Sequence, residues 1–251
     1  MIPLSQPTKI VSHTNNKGVF EIEALYPGYG VTVGNSIRRV LLSSLEGAAI
    51  TQVKIKGVTH EFSTLAGMTE DVITVLMNLK LLRFRMHSDE PQVAILKVKG
   101  EKEVTGADFK LPTQVELVNK EVHIATLTAK DAELEMEVQI EKGVGYVAAE
   151  ARKKAKQEIG SLALDAIYTP VRKVSYKVAD MRVGERTDFD RLTVEVETDG
   201  TITPETAFRR ASDILVEQFQ LVAEGVQEKE VEEPKAEKPK KKAVAKKAKA
   251  K

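Results

Sequence analysis

The sequence predicts an α+β protein with two strand-rich blocks, each accompanied by a helix, and a basic tail after them. Apolar and polar residues alternate strictly from Glu133 to Ile140, which indicates a half-buried antiparallel strand. Apolar residues recur at helical spacing from Ala207 to Val222, which indicates a long amphipathic helix. Residues 228–251 are rich in lysine and poor in apolar side chains, so we expect a disordered tail.

Composition bounds the functional class. The 251 residues are 42% hydrophobic and 30% charged, as in an ordinary soluble protein, and none is cysteine. Disulfides and thiolate metal sites are therefore excluded. The first residues lack the pattern of a signal peptide, and no apolar run is long enough to span a membrane. We expect a cytoplasmic protein without membrane contact.

The charge is unevenly distributed along the chain. Residues 228–251 contain ten lysines and five glutamates, a net charge of +5, so the first 227 residues carry −4 of the total of +1. Non-specific contact with DNA phosphates and a purely solubilising role are equal alternatives for this tail. The candidate DNA contacts are its clustered lysines: Lys240, Lys241, Lys242, Lys246 and Lys247.

The first elements are a strand pair over residues 8–24, with a turn near Asn15, and a helix predicted from Asn35. The glycine-rich stretch 28–34 precedes this helix. Its spacing does not fit a dinucleotide-binding loop, because Val33 stands where the third glycine is required. We interpret the glycines as a tight turn into the helix.

Two opposite faces of this helix carry apolar residues. At about 100° per residue, one face holds the predicted core residues: Ile37, Val40, Leu41 and Ser44. Arg39 and Leu42 are neighbours on the other face. A leucine beside an arginine on an outer face indicates a surface kept for another protein, since the planar guanidinium suits a carboxylate partner. An ordinary solvated arginine is the alternative.

Later elements follow the same patterns. A helix is predicted over about 69–82 with Thr69 as its N-cap, and residues 148–160 form either a loose helix or a mobile loop. Thr203 and Pro204 open the longest helix, which extends to about Ala223. Its apolar arc of roughly 160° is wider than one sheet requires. We therefore expect it to pack against a second helix as well, in a twofold dimer.

No group of residues indicates catalysis. The four histidines lie in different segments, and no nucleophile arrangement can be argued. The charged run from Glu185 to Arg191 favours a salt-bridged turn over a catalytic acid pair. We expect no catalytic residue, no metal and no cofactor in this chain.

Four ordered blocks resemble the N-terminal assembly domain of bacterial RNA polymerase α subunits. The similarity spans roughly residues 8–222 and is carried by residues 24–45 (ALYPGYGVTVGNSIRRVLLSSL), 57–80, EKGVGYV at 141–147, and 162–215. The resemblance implies a discontinuous dimerisation domain, residues 1–46 and 170–227, with an inserted strand-rich domain, residues 47–169. It implies a homodimer that assembles the β and β′ subunits of the polymerase, a nucleotidyltransferase whose active site lies on those partners.

The resemblance also implies site residues. Arg39 corresponds to an arginine that contacts the β subunit, and the β interface is Arg39, Leu42 and Arg38. The implied β′ interface is Lys80, Leu164 and Val171, with plain core packing an equal alternative for Leu164 and Val171. The dimer interface is expected on the two helices, at Ile37, Leu41, Phe208, Ala211, Leu215 and Phe219.

Two features depart from the family pattern. Val31 stands where the family commonly carries a histidine, and the lysine-rich tail replaces the usual DNA-binding C-terminal domain. A stand-alone dimeric DNA-binding protein that acts through this tail is therefore the alternative function. The acidic body weighs against that alternative, because DNA-binding bodies are usually basic.

Overall fold

The structure is a computed structural model that describes residues 3–152 and 160–225. In chain order the first elements are β1 (Lys9–His13), β2 (Lys17–Leu25), α1 (Tyr29–Ser43), β3 (Glu46–Ile55), α2 (Val72–Leu79), β4 (Phe84–Met86), β5 (Gln92–Lys99), β6 (Lys102–Thr105), β7 (Phe109–Lys110), β8 (Val115–Leu117), β9 (His123–Leu127) and β10 (Glu133–Val144). The remaining elements are β11 (Tyr146–Val147), α3 (Ala149–Arg152), β12 (Ser161–Ala163), β13 (Ala166–Ile167), β14 (Val171–Val183), β15 (Arg186–Thr198) and α4 (Pro204–Gly225). The predicted α+β class is confirmed.

The first sheet joins both ends of the described chain. Its antiparallel order is β1-β2-β15-β14, and helices α1 and α4 pack on it. The rings of Phe20 in β2 and Phe208 in α4 stack at a centroid distance of 4.5 Å, in the centre of this core. The N-terminal hairpin is formed as predicted. Strands and helices from residues 20–45 and 171–215 thus share one apolar core.

Helix α4 begins as its sequence predicts. Pro204 is its first residue, and the backbone N–H of Thr206 donates to Oγ1 of Thr203 at 3.3 Å. Proline costs nothing in this position because its missing N–H would have had no partner within the helix.

The second sheet is built from the middle of the chain. Its order is β7-β5-β10-β3-β4-β8, with β12 also paired to β3, and α2 and the β6–β9 pair lie against it. The predicted alternation in β10 is confirmed. The inward side chains are almost fully buried: Leu134, Met136, Val138 and Ile140.

Helix α2 begins later than predicted. Its N-cap is Asp71, whose carboxylate accepts the N–H of Thr74 at 2.8 Å, so the prediction of Thr69 as N-cap is wrong. The N–H of Thr69 donates to the carbonyl of Thr126, and the N–H of Thr126 donates to the Glu70 carboxylate. These bonds tie residues 69 and 70 to β9, so the helix starts only after them.

The backbone is closely packed where the chain enters and leaves the second sheet. Gly47 of β3 lies opposite Gly143 of β10, and Tyr168 packs over both. A Cβ atom on Gly47 would lie 1.8 Å from the carbonyl oxygen of Tyr168, and one on Gly143 would lie 2.6 Å from its ring. Only glycine permits this approach.

An ionic contact joins the second sheet to the turn that follows β15. Arg83, which precedes β4, pairs with the buried carboxylate of Asp199 at 3.4 Å. Arg85 of β4 donates from Nε to the carbonyl of Thr201 at 2.9 Å. Two arginines of the second sheet therefore hold the turn that leads into α4. Burial lowers the pKa of Arg83, and the Asp199 charge opposes that effect.

We predict that Gly47→Ala strongly destabilises the protein. The added methyl group would overlap a backbone oxygen that no side-chain rotation can remove, so we expect a loss of at least about 3 kcal/mol in the free energy of unfolding. Urea denaturation measures the change.

Gly225→Ala is the matched control, because nothing lies within 4 Å of a Cβ at that position. We expect its stability to be near that of the wild type. Equal stabilities for the two variants would contradict the close approach at Gly47.

Candidate subunit interfaces

Helix α1 is fixed to the first sheet by a buried carboxylate. Asp190 of β15 accepts the backbone N–H groups of Gly28, at 2.9 Å, and Gly30, at 2.8 Å. These N–H groups lie at the helix N-terminus, where backbone donors lack helical partners and the helix dipole favours negative charge. Gly28, with φ of 85°, precedes the first helical residue in the left-handed conformation.

The glycines of α1 allow the helix to approach the sheet closely. A Cβ on Gly30 would lie 2.7 Å from Val178, and one on Gly34 would lie 2.8 Å from the ring of Tyr176 and 2.9 Å from Leu192. The predicted start at Asn35 is therefore wrong, because residues 29–34 are helical. Glycines four residues apart on one helix face were the signal for this contact.

The charged run from Glu185 to Arg191 contains residues with two different roles. Arg186 pairs with Asp188 at 2.6 Å, as predicted, but both residues lie in strand β15, so the prediction of a turn over this run is wrong. Asp190 instead caps α1, a role that sequence reasoning missed, since its helix lies 160 residues earlier in the chain.

Helix α1 presents its two arginines outward. Arg38 and Arg39 are exposed, and neither side chain has an ion-pair partner among residues 3–152 and 160–225. Leu42 is half-buried and touches the edge of the first core. The outer surface of α1 thus combines two exposed guanidinium groups with the partly exposed side chain of Leu42.

Lys80 lies at the end of α2 beside an acidic partner. Its ammonium group is 2.9 Å from Asp165, whose other oxygen accepts the N–H of Ala149 at 3.0 Å. That N–H hydrogen bond and the Lys80 ammonium lower the pKa of Asp165 below its usual 3.8. The lysine and its counter-ion are both about one-third exposed.

Two residues assigned to the β′ interface are buried within the chain. Leu164 is buried in the core of the second sheet, and Val171 is buried in the core of the first. Val171 therefore has no surface left for a partner, whereas the buried Leu164 also lines a groove beside Lys80, so its place in the β′ surface stays a prediction. Core packing, the alternative, describes Val171.

A shallow apolar groove lies beside Lys80 and was missed from the sequence. Its volume is about 240 Å³, and Phe62 and Met77 on its rim are 73% and 61% exposed. Ile73 and Met77 are four residues apart on α2, opposite the buried face that holds Val75 and Leu79. That second apolar face of α2 was the available signal.

Most residues assigned to the dimer interface are internal. Four of them belong to the chain's own core: Ile37, Leu41, Phe208 and Ala211. They have almost no surface left for a partner, so their assignment is corrected to intrachain packing. Leu215 touches the edge of this core, and Phe219 is 63% exposed.

The second half of α4 carries an apolar surface that the rest of the described chain leaves uncovered. Four large apolar side chains are exposed there: Val216, Phe219, Leu221 and Val222. The buried residues of α4 are confined to its first two turns, and the second helix against which α4 packs is α1 of the same chain.

Three other kinds of candidate site concern DNA contact, metal binding and membrane crossing. The lysines assigned to DNA contact, Lys240 to Lys242 with Lys246 and Lys247, lie outside the described residues. Within residues 3–152 and 160–225 no cluster of three or more His, Cys, Asp or Glu could hold a metal ion. No helix in the part of the chain that the structure describes is long and apolar enough to cross a membrane.

The sequence is similar to known proteins over most of its length. A family model described as the RNA polymerase Rpb3/RpoA insert domain matches residues 53–169. The DNA-directed RNA polymerase subunit alpha of Symbiobacterium thermophilum is 46% identical over 237 residues, which cover 92% of this chain and 75% of the relative. The subunit alpha of Moorella thermoacetica is 46% identical over 222 residues, 88% of this chain and 71% of the relative.

A third relative, the subunit alpha of Alkaliphilus oremlandii, is 49% identical over 84% of this chain. These similarities define a subunit of a DNA-directed RNA polymerase, and the chain belongs to the family of its alpha subunits. The resemblance inferred from the four sequence blocks is confirmed.

We predict that the pair between Lys80 and Asp165 makes a small, pH-dependent contribution to stability. Because folding lowers the pKa of Asp165, this contribution is present above pH 3.8 and is lost as the pH falls through the folded-state value. At pH 7, Asp165→Asn should lower the free energy of unfolding by less than about 1 kcal/mol, since both side chains are partly solvated.

Urea denaturation of the variant and the wild type at pH 7 and at pH 3 measures this difference, which should shrink at the lower pH. Asp180→Asn is the control, because Asp180 is exposed and has no ion-pair partner among the described residues. A difference of equal size at both pH values would contradict the assignment.

Proposed function

We propose that this chain is the assembly subunit of a bacterial-type RNA polymerase, a homodimer that binds the β and β′ subunits. It supplies geometry and contributes no catalytic residue, the nucleotidyl-transfer site lying on its partners. The observation that carries the proposal is the uncovered apolar surface on the second half of α4, in a chain of the alpha-subunit family.

The α4 surface supports a twofold dimer. Four large apolar side chains extend beyond the chain's own core, and water disfavours their exposure at roughly 25 cal/mol per Å². A second copy of α4 packed against the first would bury the same residues on both copies, as an isologous interface requires. The interface we propose is Leu215, Val216, Phe219, Leu221 and Val222.

The outer face of α1 supports β binding. Arg39 is exposed and has no ion-pair partner within the described residues, so its planar fork is available to a carboxylate. Asp190 and the glycines hold the helix rigidly against the sheet, which keeps the position of Arg39 defined before any partner binds. We propose Arg39, with Arg38 and Leu42, as the β contact.

The groove beside α2 supports β′ binding. Lys80 with its Asp165 counter-ion provides a polar rim, and the exposed Phe62 and Met77 provide apolar contact area. An apolar centre with a polar rim is the usual anatomy of a protein interface. We propose Phe62, Met77 and the groove-lining Leu164 as the apolar part of the β′ surface, and we leave Val171 out of it.

The two cores support the proposed division into domains. One core combines residues 20–45 and 171–215, and the other is built from residues 48–164. We propose residues 1–46 and 170–227 as the dimerisation domain and residues 47–169 as the insertion. The comparisons give no support to the alternative of a stand-alone DNA-binding protein, and DNA contact through the tail lysines is a proposal of its own.

We predict that Phe219→Asp prevents dimerisation. The charge would lie in the centre of the proposed apolar interface without a partner, so the dimer should weaken by at least about 100-fold. Light scattering after size exclusion measures the mass of the purified chain. Phe62→Asp is the matched control, because Phe62 is even more exposed but lies in the groove beside Lys80. The Phe62→Asp protein should remain a dimer. A dimeric Phe219→Asp protein would refute the proposed dimer surface.

We predict that Arg39→Ala weakens binding of the cognate β subunit while the dimer persists. Hot-spot arginines commonly contribute 2 kcal/mol or more, so the dissociation constant should rise at least about 30-fold. Titration calorimetry with purified β subunit gives the constant, and light scattering gives the stoichiometry of two chains to one β. Arg182→Ala is the control, because Arg182 is an exposed arginine near the C-terminal end of β14. This variant should bind β normally. Normal β binding by Arg39→Ala would contradict the assignment.

A further inference from the structure

The short ribbon formed by β11 and β13 is apolar on both of its faces. Tyr146 pairs with Ile167, and Val147 pairs with Ala166, so each pair lies on one side of the ribbon. Val147 and Ala166 face inward and pack with the buried Tyr168. Tyr146 and Ile167 face outward and are 61% and 39% exposed.

Among residues 3–152 and 160–225, no packing contact requires apolar residues on the outer face of this ribbon. A half-buried antiparallel ribbon normally places polar residues toward water, as β10 does with Glu133 and Glu135. Val144, at the end of β10, adds a third exposed apolar side chain two residues before Tyr146. Clustered exposed apolar residues rimmed by polar ones mark interaction surfaces.

The ribbon adjoins the C-terminal end of α1. A Cβ atom on Gly145 would lie 3.4 Å from the carbonyl oxygen of Ser43, the last residue of that helix. Ser43 in turn donates a hydrogen bond of 2.8 Å from Oγ to the carbonyl of Arg39, one turn earlier. Val144 is also paired with Glu46, at the start of β3. The ribbon therefore adjoins the last turn of α1, the turn that begins at Arg39.

The chemistry of this surface favours one occupant. Interface hot spots are enriched in tyrosine and arginine and lie close together, surrounded by apolar contacts. Beside Arg39, helix α1 offers only the half-buried Leu42 as an apolar contact. Tyr146 of the ribbon provides the aromatic side chain that a hot spot commonly contains. We propose that Tyr146 and Ile167 form the apolar part of the β-subunit docking surface, continuous with Arg39. This inference rests on the proposed function, which identifies β as the partner of α1.

The test uses the full-length chain and the purified cognate β subunit. Tyr146→Ala and Ile167→Ser should each raise the dissociation constant for β at least about tenfold, with the dimer mass and the thermal midpoint unchanged. Ile95→Ser is the matched control, because Ile95 is similarly exposed (42%) on the outer face of β5, and it should bind β normally. Titration calorimetry gives the constants, and light scattering gives the masses.

Each other outcome refutes the proposal in a recognisable way. Normal β binding by both ribbon variants, with binding lost in Arg39→Ala, would place the ribbon outside the β contact. A normal complex with β that then fails to take up β′ would assign the ribbon to β′. A monomeric ribbon variant would assign the ribbon to the dimer interface. Failure of the wild-type chain to bind β would refute the proposed function itself, before any variant is compared.

Discussion

The passage of the chain between the two sheets depends on one close approach of the backbone. Gly47 and Gly143 face each other at the place where the chain leaves α1 for the second sheet, and Tyr168 covers both as the chain returns toward β14. A side chain at either glycine would push Tyr168 away from the sheet. Because α1 ends three residues before β3 and β14 begins three residues after Tyr168, this contact lies beside both connections between the first sheet and the second.

The position of Arg39 depends on a second tertiary contact, the Asp190 carboxylate beneath α1. A charge with little access to water is costly unless hydrogen bonds compensate for its burial, and two backbone N–H groups at a helix N-terminus do so here. The contact couples the β14–β15 hairpin to the helix that carries the proposed β surface. A helix held at its first turn and along its glycine face presents its outer residues without reorganisation.

Local patterns predicted most elements, and long-range packing explains the errors. The alternation in β10 and the Thr203–Pro204 start of α4 depend on neighbouring residues, so they could be predicted. Gly30 and Gly34 were interpreted as a turn, although they serve close packing against a sheet far along the chain. Val171 shows the corresponding limit for sites, since the sequence alone does not tell whether an apolar residue near a proposed interface faces the core or the partner. The exposed Phe62, Tyr146 and Ile167 became candidates only once burial was known.

The geometry of α4 explains why such a chain would act as a pair. The helix has 22 residues, about 33 Å at 1.5 Å per residue, and the first sheet and α1 bury its side chains only as far as Ala211. The second half extends past the core with its apolar side chains uncovered by the described residues, and an isolated helix as short as this half is marginal in water without packing. A second copy would bury these side chains and stabilise the helix together, so dimerisation and helix order would be linked. In such a dimer each α1 and each Lys80 groove is fixed relative to its symmetry mate, which lets one pair of identical chains position two different partners.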